Sequence, residues 1–102
     1  MARIVWTRQS REDIEAIRAF IARDAPKTAD AFLAQLIAAV DRLEQFPFLG
    51  GVVPELTGGD VRERIHGNYR IIYRASEELV EILMVYHGAR LLDKDALQGS
   101  DP

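Results

Sequence analysis

Arginine is the residue most conspicuously placed for chemistry in this chain. Arg62, Arg64, Arg70 and Arg74 fall in one short stretch opposed there only by Glu63. Planar guanidinium groups clustered in this way can hold phosphates or carboxylates through paired hydrogen bonds. Alternation along an extended backbone sends Arg62 and Arg64 to one face of a strand and Arg70 and Arg74 to one face of its neighbour, so the two pairs are expected to meet on one surface. A solvated sheet face would show the same alternation, and that reading stays open beside the binding one. His66 and His87 are the only histidines. Either has the chemistry of a general base near neutral pH, but neither has a carboxylate motif beside it, and both read as structural residues, one at a turn and one at a strand end. No His-Glu-x-x-His motif, calcium loop, phosphate loop or dinucleotide fingerprint occurs, so neither a metal nor a cofactor is expected. Trp6, Tyr69, Tyr73 and Tyr86 have faces on which bases can stack, although their spacing fits core packing better.

These residues must be positioned by a small frame. The chain has 102 residues, 48% of them apolar and 28% charged, with no cysteine. That is one domain with one shared core, without disulfides or cysteine-held zinc. The formal net charge is -3, from 13 Lys and Arg against 16 Asp and Glu. A general nucleic-acid coat needs the opposite sign, so the arginines form a basic patch on an acidic protein. The longest uncharged apolar runs, Leu36 to Val40 and Ile82 to Tyr86, are five residues each, against the ~20 that a membrane-spanning helix requires. Met1 to Arg8 lacks the apolar stretch of a signal peptide, and a cytoplasmic location is expected.

Local signals order the elements. Residues 3 to 7 are β-branched and aromatic and read as a strand. Ser10 and Asp13 approximate a capping box, and Ile14, Ile17, Phe20 and Ile21 then recur at helical spacing, which predicts a helix over 11–24. Pro26 suits the first turn of a second helix, and Ala29, Phe32, Leu33, Leu36, Ile37, Val40 and Leu43 extend it until Phe46-Pro47 stops it. So short a link between the helices makes them an αα-hairpin. Glycine and proline crowd residues 47–59, which read as a loop. Val61 to His66 alternates, Gly67-Asn68 makes a tight turn from residues that tolerate positive φ, and Tyr69 to Arg74 returns. Leu79 to Tyr86 is nearly all apolar and is expected mid-sheet. The expected fold is therefore α+β, in the order β-αα-βββ, with a helical hairpin packed on a mainly antiparallel four-stranded sheet. Residues 1–92 form the domain, and 93–102 a polar tail.

Several motifs carry a family resemblance across Trp6 to Leu92. They are Trp6-Thr7 before the acidic start Arg11-Glu12-Asp13-Ile14, then Pro26 with Ala29 and Phe32, and Leu43-x-x-Phe46-Pro47-x-x-Gly50. Val61-Arg62-Glu63, Tyr69-Arg70-Ile71-Ile72-Tyr73 and Val85-x-His87-Gly88-x-Arg90 complete the set. Together they resemble the RelE/ParE superfamily of toxins from bacterial type II toxin-antitoxin modules, and the long paired helices with the Phe46-Pro47-x-x-Gly50 turn resemble its ParE branch. The resemblance implies a bacterial, cytoplasmic toxin that arrests growth by binding DNA gyrase without catalysis. It also implies a ParD-like antitoxin partner, with a ribbon-helix-helix DNA-binding half and a flexible tail, joined to the toxin in a hetero-oligomer. Operator DNA would be read by the antitoxin, so strong DNA binding by this chain is not expected. Arg62, Arg64, Arg70, Arg74, Arg90 and Tyr73 are the residues expected to meet antitoxin or target. The alternatives are a ribosome-dependent mRNA interferase of the RelE type, in which Arg62, Arg64, Arg70, His87 and Arg90 would be catalytic, and a non-toxic antitoxin-binding remnant. Leu91 to Leu97 lacks the Tyr or His that RelE-like nucleases place after the last arginine, which weighs against cleavage.

Overall fold

A computed structural model describes residues 1–53, 55–56 and 60–88. Arg90 and the 93–102 tail lie outside the described residues. The elements are β1 (Arg3–Trp6), α1 (Arg8–Ala22), α2 (Pro26–Asp41) with a 3-10 turn at Arg42–Glu44, β2 (Gly51–Val52), β3 (Val61–His66), β4 (Tyr69–Ala75) and β5 (Leu79–His87). The sheet order is β1-β5-β4-β3-β2, with β1 parallel to β5 and every other pair antiparallel. The α+β expectation stands with one addition. The sheet has five strands because Gly51 and Val52, inside the glycine-rich loop, pair with Glu63 and Arg62. A two-residue strand is too short to show any periodicity.

The helical layer covers one side of the sheet. Leu36 and Val40 of α2 and Leu43 of the 3-10 turn are enclosed against Ile71, Tyr73, Val80, Ile82 and Val85, with Ile14 and Ile17 of α1 packed beside them. Phe20, counted in the α1 stripe, points to solvent instead. A smaller core of Val53, Ile72, Leu83 and Met84 lies on the other side, flanked by Leu56, Val61 and Tyr86. That double cover explains the uninterrupted apolar run of β5, which sits between β1 and β4.

The start of α1 differs from the expectation, and the reason is structural. Thr7, not Ser10, is the N-cap: its Oγ1 accepts from the Ser10 amide at 3.1 Å, and the Ser10 hydroxyl donates back to the Thr7 carbonyl. The helix therefore begins at Arg8, and the strand before it ends at Trp6. Asp13 does not close a capping box. Its Oδ2 accepts from the Val85 amide at 2.9 Å. That amide needs a partner because β1 ends before it, and a bulge in β5, where Ile72 pairs with Met84 but Tyr73 with Ile82 so that Leu83 is an extra residue, sets which residues turn toward that side. β1 pairs with β5 only as far as Ile82, and Thr7 and Asp13 serve the backbone beyond, the Thr7 hydroxyl lying 3.0 Å from the Leu83 carbonyl it can donate to.

Replacing Asp13 with Ala should leave the Val85 amide buried without its acceptor, at a cost of about 1–3 kcal/mol, while Asp13→Asn keeps an acceptor oxygen and should cost less. Urea titration of both variants, with hydrogen exchange at Val85, checks this. Equal stability of Asp13→Ala and the parent would count against the role.

Candidate binding site

The β3–β4 register decides where the arginines go. The two-residue turn Gly67-Asn68 pairs His66 with Tyr69, then Arg64 with Ile71 and Arg62 with Tyr73. Only Gly67 has positive φ, at 58°, as the first position of a type II′ hairpin turn requires, while Asn68 does not use its tolerance. Directly paired residues share a face of the sheet. Arg62, Arg64 and His66 therefore lie on the helix side, and Arg70 and Arg74 on the other, with Val61, Glu63 and Ile65. The expected single arginine surface does not form.

On the face away from the helices, Arg70 is buried, at 8% exposed. Its Nη1 and Nη2 donate to the two oxygens of Glu55 at 2.7 and 2.8 Å, and its Nε donates to Glu63 at 2.8 Å. Nη2 also contacts Glu63, and the guanidinium stands over the Tyr86 ring, 5.5 Å from its centroid. The hydrogen bonds that Arg70 donates to Glu55, outweighing desolvation and helped by Glu63, push its pKa above its already high ordinary value. One guanidinium between two carboxylates is a closed, net-negative cluster. The expectation of Arg70 as an open cation is corrected accordingly. Arg74 is half-buried and pairs with Asp60 at 3.3 Å.

On the helix side, Arg62 holds a loop. Its Nη1 donates to the carbonyls of Gly50 at 2.9 Å and Phe48 at 3.3 Å, and its guanidinium lies 5.3 Å from the Phe48 ring centroid. The Gly50 amide donates to the Tyr73 hydroxyl at 2.8 Å. A Cβ at Gly50 would stand 2.4 Å from the Glu63 carbonyl oxygen and 2.6 Å from that hydroxyl, so only glycine lets the loop come this close. Tyr73, expected as a surface contact, is fully enclosed and serves as the internal anchor of the loop. Burial pushes its pKa up, tempered by the Gly50 amide and the nearby Arg62 and Arg64. Among the described residues neither Arg62 nor Arg64 makes an ion pair, and the Nε of each is enclosed without a hydrogen-bond partner.

The β5 bulge places His87. It sends His87 to the helix side beside Tyr69 and Tyr86 to the other side beside Arg70. His66, Phe32, Tyr69 and His87 form a row of ring contacts with centroid separations of 5.2, 5.4 and 5.6 Å. His87 and Arg70 are thus on opposite faces, and the set {Arg62, Arg64, Arg70, His87} is not brought together. Among the described residues, no group of three or more His, Asp or Glu could hold a metal ion, and no helix is long and apolar enough to cross a membrane. Glu55, Phe46 and Phe48 were not singled out as binding residues by the sequence. The signal for Glu63 was available, since the two-residue turn already implied that it faces the same side as Arg70.

A two-helix layer on a β1-β5-β4-β3-β2 sheet, with Arg62 and Arg64 beside an anchored loop and Arg70 and Arg74 paired with carboxylates, defines a small α+β fold. The family model described as the ParE toxin of the type II toxin-antitoxin system, parDE, matches residues 4–92; the chain belongs to the ParE family of type II toxin-antitoxin toxins. It is 34% identical over 92 residues to Toxin RelE2 of Caulobacter vibrioides, covering 89% of this chain and all of that one. A solved structure described as the chromosomal ParDE TA system from P. aeruginosa shares the fold, with TM-score 0.72, 21% identity, and coverage of 85% of this chain and 96% of that one.

Tyr73 gives a pH prediction. A phenol whose folded-state pKa is raised keeps its proton longer than the unfolded chain does, so its contribution is complete below the ordinary value of 10.0 and is lost as pH rises through the folded value. Stability should therefore fall above about pH 10, with a shallower fall in Tyr73→Phe, as read from urea midpoints across pH 8–11. The same slope in both proteins would count against it.

Proposed function

We propose that this chain arrests growth by binding DNA gyrase in the bacterial cytoplasm, and that a cognate ParD-like antitoxin neutralises it in a hetero-oligomeric complex. The observation that carries this reading is the separation of the cations. Cleavage of RNA by its own 2′-hydroxyl needs cations around the phosphate and a proton carrier on the same surface. Here Arg70 is withdrawn to the opposite face by Glu55 and Glu63, so the face that carries His87 keeps only Arg62 and Arg64, and Arg62 is already bonded to the Phe48 and Gly50 carbonyls. A closed net-negative cluster around Arg70 repels a phosphate dianion. The net charge of -3 also disfavours docking among ribosomal RNA. Membership of the ParE family supports the same choice, and the open Arg62 and Arg64 suit the carboxylates of an antitoxin tail that orders on binding.

Ribosome-dependent RNA cleavage is the second reading, favoured by the name of the relative Toxin RelE2. Two assays separate them. Purified chain should inhibit supercoiling by gyrase and leave mRNA on translating ribosomes intact. Codon-positioned cuts that vanish in His87→Ala would replace the first reading with the second. Reversing both open cations, with Arg62→Glu and Arg64→Glu, should weaken the antitoxin complex by about 2–5 kcal/mol if those charges are desolvated on binding. Unchanged affinity in a calorimetric titration would place the antitoxin elsewhere.

A further inference from the structure

Exposed large apolar side chains concentrate in one short segment. Phe46, Phe48, Leu49 and Val52 are 52%, 46%, 42% and 62% exposed. Contiguous apolar surface of this kind marks interaction sites, whereas scattered exposed residues need no explanation. These four are adjacent in space as well as in sequence. The Leu49 amide donates to the Phe46 carbonyl at 3.1 Å, closing a turn. Phe48 lies under the Arg62 guanidinium. Val52 pairs directly with Arg62 across β2 and β3 and so shares its face.

The segment is also held in place. Tyr73 binds the Gly50 amide, Arg62 binds the carbonyls of Phe48 and Gly50, and Gly50 itself fits against the backbone of Glu63. An apolar loop that is already ordered loses little conformational freedom when a partner covers it. Aromatic anchors next to arginine are the composition of an interface centre. The charge specifies the partner. Arg62 is hydrogen-bonded to neutral carbonyls, Arg64 follows it on the same face of β3, and neither meets a carboxylate among the described residues. A covering segment must therefore bring both apolar anchors and acids. A nucleic acid would satisfy the guanidinium groups but leave Leu49 and Val52 unmatched.

We propose that Phe46, Phe48, Leu49 and Val52, with Arg62 and Arg64 at their edge, form a preorganised platform on which an acidic, amphipathic segment of the antitoxin docks. The proposal rests on the neutralisation reading above, and it assigns to the loop after α2 a part that the arginines alone do not have. Anchors enter among the phenylalanines, and carboxylates reach the two guanidinium groups.

The test uses the full-length chain with Phe46→Ser and Phe48→Ser together, substitutions at exposed positions whose folding is checked by circular dichroism and melting temperature. Phe20→Ser on α1, at a position 65% exposed and remote in sequence, is the control. In cells, the double variant should still arrest growth but escape rescue by the co-expressed cognate antitoxin, and its dissociation constant for the purified antitoxin should rise at least about tenfold. The Phe20→Ser control should be rescued like the parent. Normal rescue and affinity of the double variant would overturn the platform while leaving neutralisation intact. Loss of toxicity in the folded double variant would overturn it by assigning the surface to the target. A parent dimer that the substitutions dissociate would overturn it in favour of a second copy. If the parent itself neither binds nor is rescued by the antitoxin, the neutralisation reading fails first.

Discussion

The two-residue turn between β3 and β4 is the constraint on which the rest of the structure depends. Once His66 is paired with Tyr69, every position along the hairpin has its side assigned, because a one-residue slip would reverse the inside and outside of the whole strand. Ile71 and Tyr73 must face the helices to complete the main core, so Arg64 and Arg62 face that way with them. Arg70 must face the other way, where burial would be prohibitive for a lone guanidinium. Glu55 and Glu63 make it tolerable. A buried ion cluster of this kind is weak evidence for extra stability, since desolvation offsets much of the attraction. It fixes how the segment carrying Glu55 meets the sheet.

The β5 bulge is the second constraint and interacts with the first. Without Leu83 as an extra residue, the alternation would carry Tyr86 toward the helices and His87 away from them. With it, Tyr86 lies beneath Arg70, and His87 joins the aromatic row with Tyr69. The β5 backbone groups past the end of β1 are taken by Thr7 and Asp13 at the start of α1. One short sequence thus caps a helix and repairs a strand, tying the first element after β1 to the last strand of the sheet.

The proposed function rests on how charge is distributed by these two devices. The fold removes Arg70 from the face that carries Arg62, Arg64 and His87 and pairs it with two carboxylates. The proposed binding role needs an ordered surface with something left to satisfy, and the loop after α2 fits that need: its backbone is anchored by Tyr73 and Arg62, and Phe46, Phe48 and Leu49 are exposed. Gly50, the last position of the Phe46-Pro47-x-x-Gly50 motif that marks the family resemblance, is therefore also a structural necessity, because no residue larger than glycine fits there.

Local chemistry made the element order, the αα-hairpin and the mid-sheet place of β5 legible from residues alone, since helical and strand periodicities, Pro26 and Gly67-Asn68 act over a few neighbours. The opposed faces of the arginine pairs were implied by the same turn, through the parity it imposes, although alternation read strand by strand suggested a shared surface. The helix cap at Thr7, the short β2, the partnership of Glu55 with Arg70 and the exchange of Tyr86 with His87 were decided only by tertiary structure. Each depends on groups far apart in the chain. The run Ile82 to Tyr86 is apolar throughout, so it is compatible with a bulge at any position, and packing on both faces of the sheet selects the one that forms.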